Sequence, residues 1–156
     1  MRPISFTCRK LIPRSAAAIC ADIADLDRWR DFKGYGILPG IASAAYEVRT
    51  ADMVGSRVRV RSTDGSGHSE EFYLWQPGQQ IAMKFADFTP PLQQLATHFT
   101  EEWTFDTKPN GTLVTRHFNL YAKSAVTRPL LWLISLVFRR AIDRHLTEMA
   151  AERDSR

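Results

Sequence analysis

The sequence predicts an α+β domain: an antiparallel sheet of about seven strands with one apolar face, two short helices after the first strand, and a long C-terminal helix covering that face. Three observations predict it. Several runs alternate apolar with polar residues, the period of a half-buried strand. Asn110-Gly111 joins two such runs in the manner of a hairpin turn. Apolar residues recur at helical spacing from Leu130 to Met149. With 156 residues, no internal repeat and no linker-like tract, the chain reads as one domain over 1–156. Folding at that size buries roughly two-thirds of the surface that the unfolded chain exposes.

The first strand begins where Ile4, Phe6 and Cys8 alternate with Ser5, Thr7 and Arg9, and Pro13 ends it. Ser15 is placed to N-cap a helix in which Ile19, Ile23 and Leu26 share a face, and a second short helix carries Trp29 and Phe32. Three glycines and a proline in "KGYGILPG" then break helix, and strand and turn patterns continue as far as Lys123. Around Asn110-Gly111, a two- or four-residue loop sets odd positions of one strand beside even positions of the next. Phe99, Glu101, Trp103, Phe105, Val114, Arg116, Phe118 and Leu120 then share the buried face, leaving His98, Glu102 and His117 outside. A turn at 76–79 pairs Leu74 with Ile81 and Phe72 with Met83. A three-residue loop at 64–66 pairs Phe72 with Val58 and sets Glu71 opposite Arg59. Val58, Val60, Phe72, Leu74, Met83 and Phe85 thereby join the apolar face, together with Tyr46 and Val48.

That face needs a cover. The C-terminal helix supplies it, with Thr127 at its cap and Pro129 in its first turn. Leu130, Ile134, Val137, Ala141 and His145 form one stripe; Leu131, Phe138, Ile142, Leu146 and Met149 form the next. Its first half is apolar all round, so Trp132, Leu133 and Leu136 call for a partner beyond the sheet. The short helices near Trp29, a homodimer contact and a transient membrane contact are the three alternatives. A transmembrane segment is excluded for this stretch, because Arg139 and Arg140 end the apolar run well short of the about 20 residues a span requires.

A net charge of +4 with no basic cluster longer than a pair argues against nucleic acid as a partner. Cys8 and Cys20 are too few for a disulfide scaffold or a zinc site, and the four histidines show no metal-ligand spacing. Arg9, Lys10 and Arg14 fall where a signal peptide would be apolar, so a cytoplasmic location is expected. There is no GxSxG, P-loop or GxGxxG, and no cofactor is expected.

The order of strand, two short helices, six-stranded meander and long helix resembles the START-like (SRPBCC, helix-grip) superfamily, in its polyketide cyclase/dehydrase and lipid-transport branch. The resemblance is carried by "IPRSAAAICADIADLDRWRDF", "TEEWTFDTKPNGTLVTRHF" and "RRAIDRHLTEMAAE", and covers nearly the whole chain. It implies a curved sheet gripping the long helix, with a deep cavity between them for a hydrophobic small molecule. It does not imply a reaction, since members include carriers, receptors, cyclases and hydrolase activators.

Glu101 and Arg116 are the anomaly of the apolar face. In the four-residue-loop register they are diagonal neighbours, and charges there must be paired. They read either as a structural ion pair or as the group that orients a ligand's polar head. The residues expected to line the cavity are Tyr46, Val58, Val60, Phe72, Leu74, Met83 and Phe85 from the earlier strands. Phe99, Glu101, Trp103, Arg116 and Phe118 from the last hairpin join them, with Val137 and Ala141 from the helix. His145, Glu101 and Tyr46 are the groups that could move a proton, although a histidine capping a backbone carbonyl is the plainer reading of His145. Tyr35, Phe88 and Leu92 fall in irregular stretches expected to border the mouth. Three functions are compatible with these residues: a carrier or sensor of a lipid, polyketide or isoprenoid; a cyclase or dehydratase; or an interaction module docking through the apolar start of the last helix.

Overall fold

The computed structural model describes residues 1–152. Strand β1 (Ile4–Ile12) leads into α1 (Ala16–Ala24), whose cap is Ser15: its Oγ accepts from the Ala18 N–H at 3.1 Å. A 3-10 turn, Leu26–Asp31, carries Trp29, with Phe32 just past its end. Next come β2 (Ile41–Val48), β3 (Arg57–Ser62), β4 (Gly67–Gln76) and β5 (Gln80–Ala86). A one-turn helix, α2 (Leu92–Leu95), interrupts a stretch expected to be irregular. The chain continues through β6 (Ala96–Lys108), β7 (Gly111–Ala122) and α3 (Arg128–Ala151). All seven strands join one antiparallel sheet in the order β1-β7-β6-β5-β4-β3-β2, so the meander runs from β2 to β7 and β1 closes on its last strand.

The β6–β7 hairpin takes the register of the four-residue loop. Glu101 faces Phe118 and Trp103 faces Arg116, which makes Glu101 and Arg116 diagonal neighbours on the inner face. The β3–β4 register differs from expectation by two residues. Val58 lies opposite Glu70 and Arg59 opposite Ser69, while Glu71 faces Arg57. The loop is 63–65, because Gly65 holds φ +87°, the left-handed position that closes a three-residue hairpin loop and that glycine takes without penalty.

Two β-bulges move two further residues. One between Phe72 and Leu74 pairs Leu74 with Ala82, beside Glu102 of the outer face, instead of with Ile81. Trp75 takes the place expected for Leu74, packing edge-on against Phe72 at 5.3 Å. The other, after Tyr46, leaves Val48 exposed rather than on the apolar face. A bulge adds one residue to one strand and so reverses the side taken by the residues beyond it.

Helix α3 crosses the sheet at β1 and β7. Phe138 is its anchor, with its ring 4.8 Å from Phe118, 5.5 Å from Phe6 and 5.9 Å from Phe99. Leu131, Ala141, Ile142 and Leu146 are buried with it. Thr127 precedes the helix without capping it: its backbone is already helical, and its hydroxyl accepts from the Ser124 N–H at 3.2 Å while donating to the Leu95 carbonyl at 3.0 Å. Leu130, expected on a buried stripe, is half exposed, as are Trp132, Leu133 and Leu136. The short helical segments do not cover these residues, since the 3-10 turn packs on β2.

Candidate ligand cavity

Because α3 rests on β1 and β7, the inner face of β4, β5 and β6 faces open space rather than helix. A cavity of about 560 Å³ results, within the size range of small-molecule sites. Met83, Phe85, Phe99, Trp103 and Phe118 line its sheet side, and Val137 lines its helix side, beside the expected pair Glu101 and Arg116. The other expected residues fall elsewhere. Val58, Val60 and Phe72 are sealed in the core, and Ala141 is buried in the packing of α3. Leu74 is turned outward by its bulge. Tyr46 packs at the edge of the core, and its hydroxyl donates to the Ala24 carbonyl at 3.0 Å. Burial raises its pKa, and it is not among the residues that line the cavity.

His68 and Glu70 line the cavity as well, and neither was singled out from sequence. The signal was present: on β4 they share the parity of Phe72, and a two-residue error in register leaves parity unchanged. Attention to apolar residues alone passed over them. Phe88 and Leu92 line the mouth, as do Ile37 and Leu38 of the other irregular stretch; Tyr35 does not.

Arg116 organises one polar station. Its Nε donates to Glu101 Oε2 at 2.6 Å, and its Nη1 lies 2.9 Å from His145 Nδ1. The guanidinium stacks over Trp103, with Cζ 4.1 Å from the ring centroid. Arginine carries only donors, so His145 Nδ1 must be the acceptor and the ring hydrogen must sit on Nε2. His145 is accordingly held neutral, its pKa pushed down to about 3 by burial and then by the charges of Arg116 and Arg28. Burial pushes the Glu101 carboxyl above the usual carboxylate range, with Arg116 pulling against that shift. The station therefore presents donors to the cavity: Arg116 Nη2, which neither bond uses, and His145 Nε2–H. A ligand there must bring an acceptor oxygen.

His68 and Glu70 form a second station. His68 Nε2 is 2.8 Å from Glu70 Oε2, and the imidazole stacks on Phe85 at 5.3 Å. Glu70 is almost wholly buried, so His68 supplies the partner that a buried carboxylate requires. At the rim, Arg28 joins Asp22, Asp31 and Glu152, tying the end of α3 to the short helical segments. Among the described residues no cluster of His, Cys, Asp and Glu is arranged to hold a metal ion.

Solved structures resemble this fold along nearly its whole length. The di-domain ARO/CYC BexL from the BE-7585A biosynthetic pathway matches with a TM-score of 0.72 at 17% identity, covering 98% of this chain and 50% of that one. For the di-domain ARO/CYC StfQ from the steffimycin biosynthetic pathway the values are 0.67, 16%, 96% and 51%. The chain thus spans about half the length of these two-domain proteins. Major latex-like protein 151 from Panax ginseng matches with a TM-score of 0.59 at 18% identity, over 93% of this chain and 98% of its own. At such identities the likeness is one of fold, the helix-grip arrangement of a seven-stranded sheet and a long C-terminal helix. No curated protein matches the sequence. The family model described as polyketide cyclase / dehydrase and lipid transport matches residues 3–153. By that match over nearly all of its length, the chain belongs to the polyketide cyclase/dehydrase and lipid-transport family.

Proposed function

We propose that the protein binds a hydrophobic small molecule in the cavity between sheet and α3, as a cytoplasmic carrier or sensor, with an oxygen of the ligand held by Arg116. The observation that carries this reading is a buried guanidinium, with one nitrogen left over from its bonds to Glu101 and His145, in the wall of a cavity whose sheet side is largely aromatic. Apolar burial supplies affinity at about 25 cal/mol per Å², and the donor station fixes orientation. A carrier fits the neutral state of His145 better than a cyclase or dehydratase does. As a base His145 has its Nδ1 lone pair already taken by Arg116, and as an acid it holds no extra proton near neutrality. Two free, buried cysteines accord with a reducing compartment.

The test uses anilinonaphthalene sulfonate, an apolar body with one anionic head. Saturable one-to-one binding is expected, lost when Val137→Trp fills the cavity, with Met83→Phe as a milder second filling. Binding that survives both fillings in folded protein overturns the reading.

A second reading concerns where ligand is exchanged. Leu130, Trp132, Leu133 and Leu136 form an exposed strip that runs, by helical spacing, into the cavity-lining Ile134 and Val137. No acidic residue occurs from 107 to 142, while Lys123, Arg139 and Arg140 surround the strip with positive charge. That charge pattern favours an anionic lipid surface over a second copy of the chain. Sedimentation with phosphatidylserine-containing vesicles, lost at high salt and in Trp132→Ser, is the expected result. A concentration-dependent dimer abolished by the same substitution would replace the membrane with the homodimer.

A further inference from the structure

The proposed binding function leaves the second polar station unexplained. His68 and Glu70 are not needed to close the sheet, and a buried carboxylate-histidine pair is a costly way to fill an apolar wall. His68 Nε2 lies 2.8 Å from Glu70 Oε2, so this bond occupies one ring nitrogen and leaves the other, Nδ1. Nδ1 has no bond within the described residues and is not sealed by burial, and the ring lines the cavity. The ring stacks on Phe85 and meets Phe88 at a tilt. The second station thus keeps one oriented ring nitrogen, whereas the first presents donors.

The two stations stand on different strands. Arg116 of β7 is in register with Trp103 of β6, then with Ile81 of β5 and Trp75 of β4. His68 lies on β4 seven positions from Trp75, so the two residues are separated by three strand spacings across the sheet and several residues along it. On strand spacings of about 4.8 Å and a rise of about 3.3 Å per residue, their Cα atoms are on the order of 20 Å apart before side chains converge. The Glu70 charge nevertheless acts on the Glu101 carboxyl, so the side chains bring the stations nearer than their backbones, with Met83, Phe85 and Phe99 on the wall between them.

Resting on the proposed binding reading, we infer that the ligand is elongated and polar at both ends: an acceptor oxygen, such as a carboxylate or carbonyl, against Arg116 and His145, an apolar body, and a hydroxyl, which both donates and accepts, against His68 Nδ1. An ω-hydroxylated long-chain acid or a similarly bifunctional compound has this chemistry. A simple fatty acid has only half of it.

Calorimetric titration of the full chain with palmitic acid, its ω-hydroxy derivative and cetyl alcohol tests the inference. The ω-hydroxy acid is expected to bind roughly three- to tenfold more tightly than palmitic acid, the worth of one added hydrogen bond. His68→Phe combined with Glu70→Leu removes both partners without orphaning a carboxylate. It is expected to erase that preference, read as the ratio of the two acids' affinities within the same variant. Equal binding of the two acids by the wild type, or a preference that survives the double substitution, overturns the two-ended ligand and leaves the binding function standing. Failure of all three probes to bind overturns both.

Discussion

Arg116 does three things with one side chain. It neutralises Glu101, fixes the tautomer of His145 and keeps a nitrogen for the cavity. Arg116→Met is expected to cost about 3–5 kcal/mol, because it leaves Glu101 buried without a cation. Adding Glu101→Leu should recover most of that stability in urea unfolding without restoring binding of anilinonaphthalene sulfonate. Full recovery of binding would make the pair purely structural. His145 sets a pH dependence of opposite origin to a salt bridge. Its folded pKa of about 3 lies below the unfolded value near 6.5, so the unfolded chain binds the proton first. Stability is therefore expected to fall as pH drops below about 6.5, by up to about 1.4 kcal/mol per pH unit, until the folded pKa is reached. The raised Glu101 pKa acts the other way, its contribution being full below the unfolded value and lost as pH rises. Melting curves of wild type and His145→Gln between pH 7 and 4.5 check the sign: the variant should lose less stability over that range. Strand parity put Glu101 and Arg116 on one face, and the four-residue-loop register made them neighbours. The bond to His145 was not legible, because it depends on how α3 is rotated over the sheet, which a stripe of apolar residues defines only to within a turn.

At the scale of elements, strand parity survived where pairing partners did not. Gly65 moved the β3–β4 loop by one residue and shifted the register by two, yet Phe72 stayed inside. Bulges are harsher: those before Leu74 and before Val48 each reversed a side chain, and nothing in an alternating pattern announces an extra residue. Gly65→Ala is expected to cost about 1–2 kcal/mol, the penalty for a side chain in the left-handed region, and urea unfolding would measure it. Helix α3 depends on Phe138 more than on its length. Phe138→Ala is expected to cost about 3–5 kcal/mol by opening a hole among Phe6, Phe99 and Phe118. A loss under about 1 kcal/mol would mean that the three rings collapse into the vacated space. The apolar start of α3 was legible as a surplus, and the structure leaves it exposed, since the 3-10 turn that carries Trp29 packs on β2 instead.

For the molecule as a whole, the order of strands and helices was readable because each element carries its own periodicity and its own punctuation. The cavity was foreseen through the family resemblance rather than from residues. A void is set by what α3 leaves uncovered, and composition does not report that. An aromatic inner face, a donor station at Arg116 and a second polar station at His68 are the features on which the proposed binding function rests. A ligand that binds only the folded state at a hundred times its dissociation constant would add about 2.7 kcal/mol of stability. The most direct measurement is native mass spectrometry of freshly purified protein, followed by organic extraction and identification of the compound that travels with it. The expected result is a one-to-one adduct of a hydrophobic, oxygen-bearing molecule that disappears in Val137→Trp. Bare protein in the spectrum, together with no binding of anilinonaphthalene sulfonate in solution, would contradict the account.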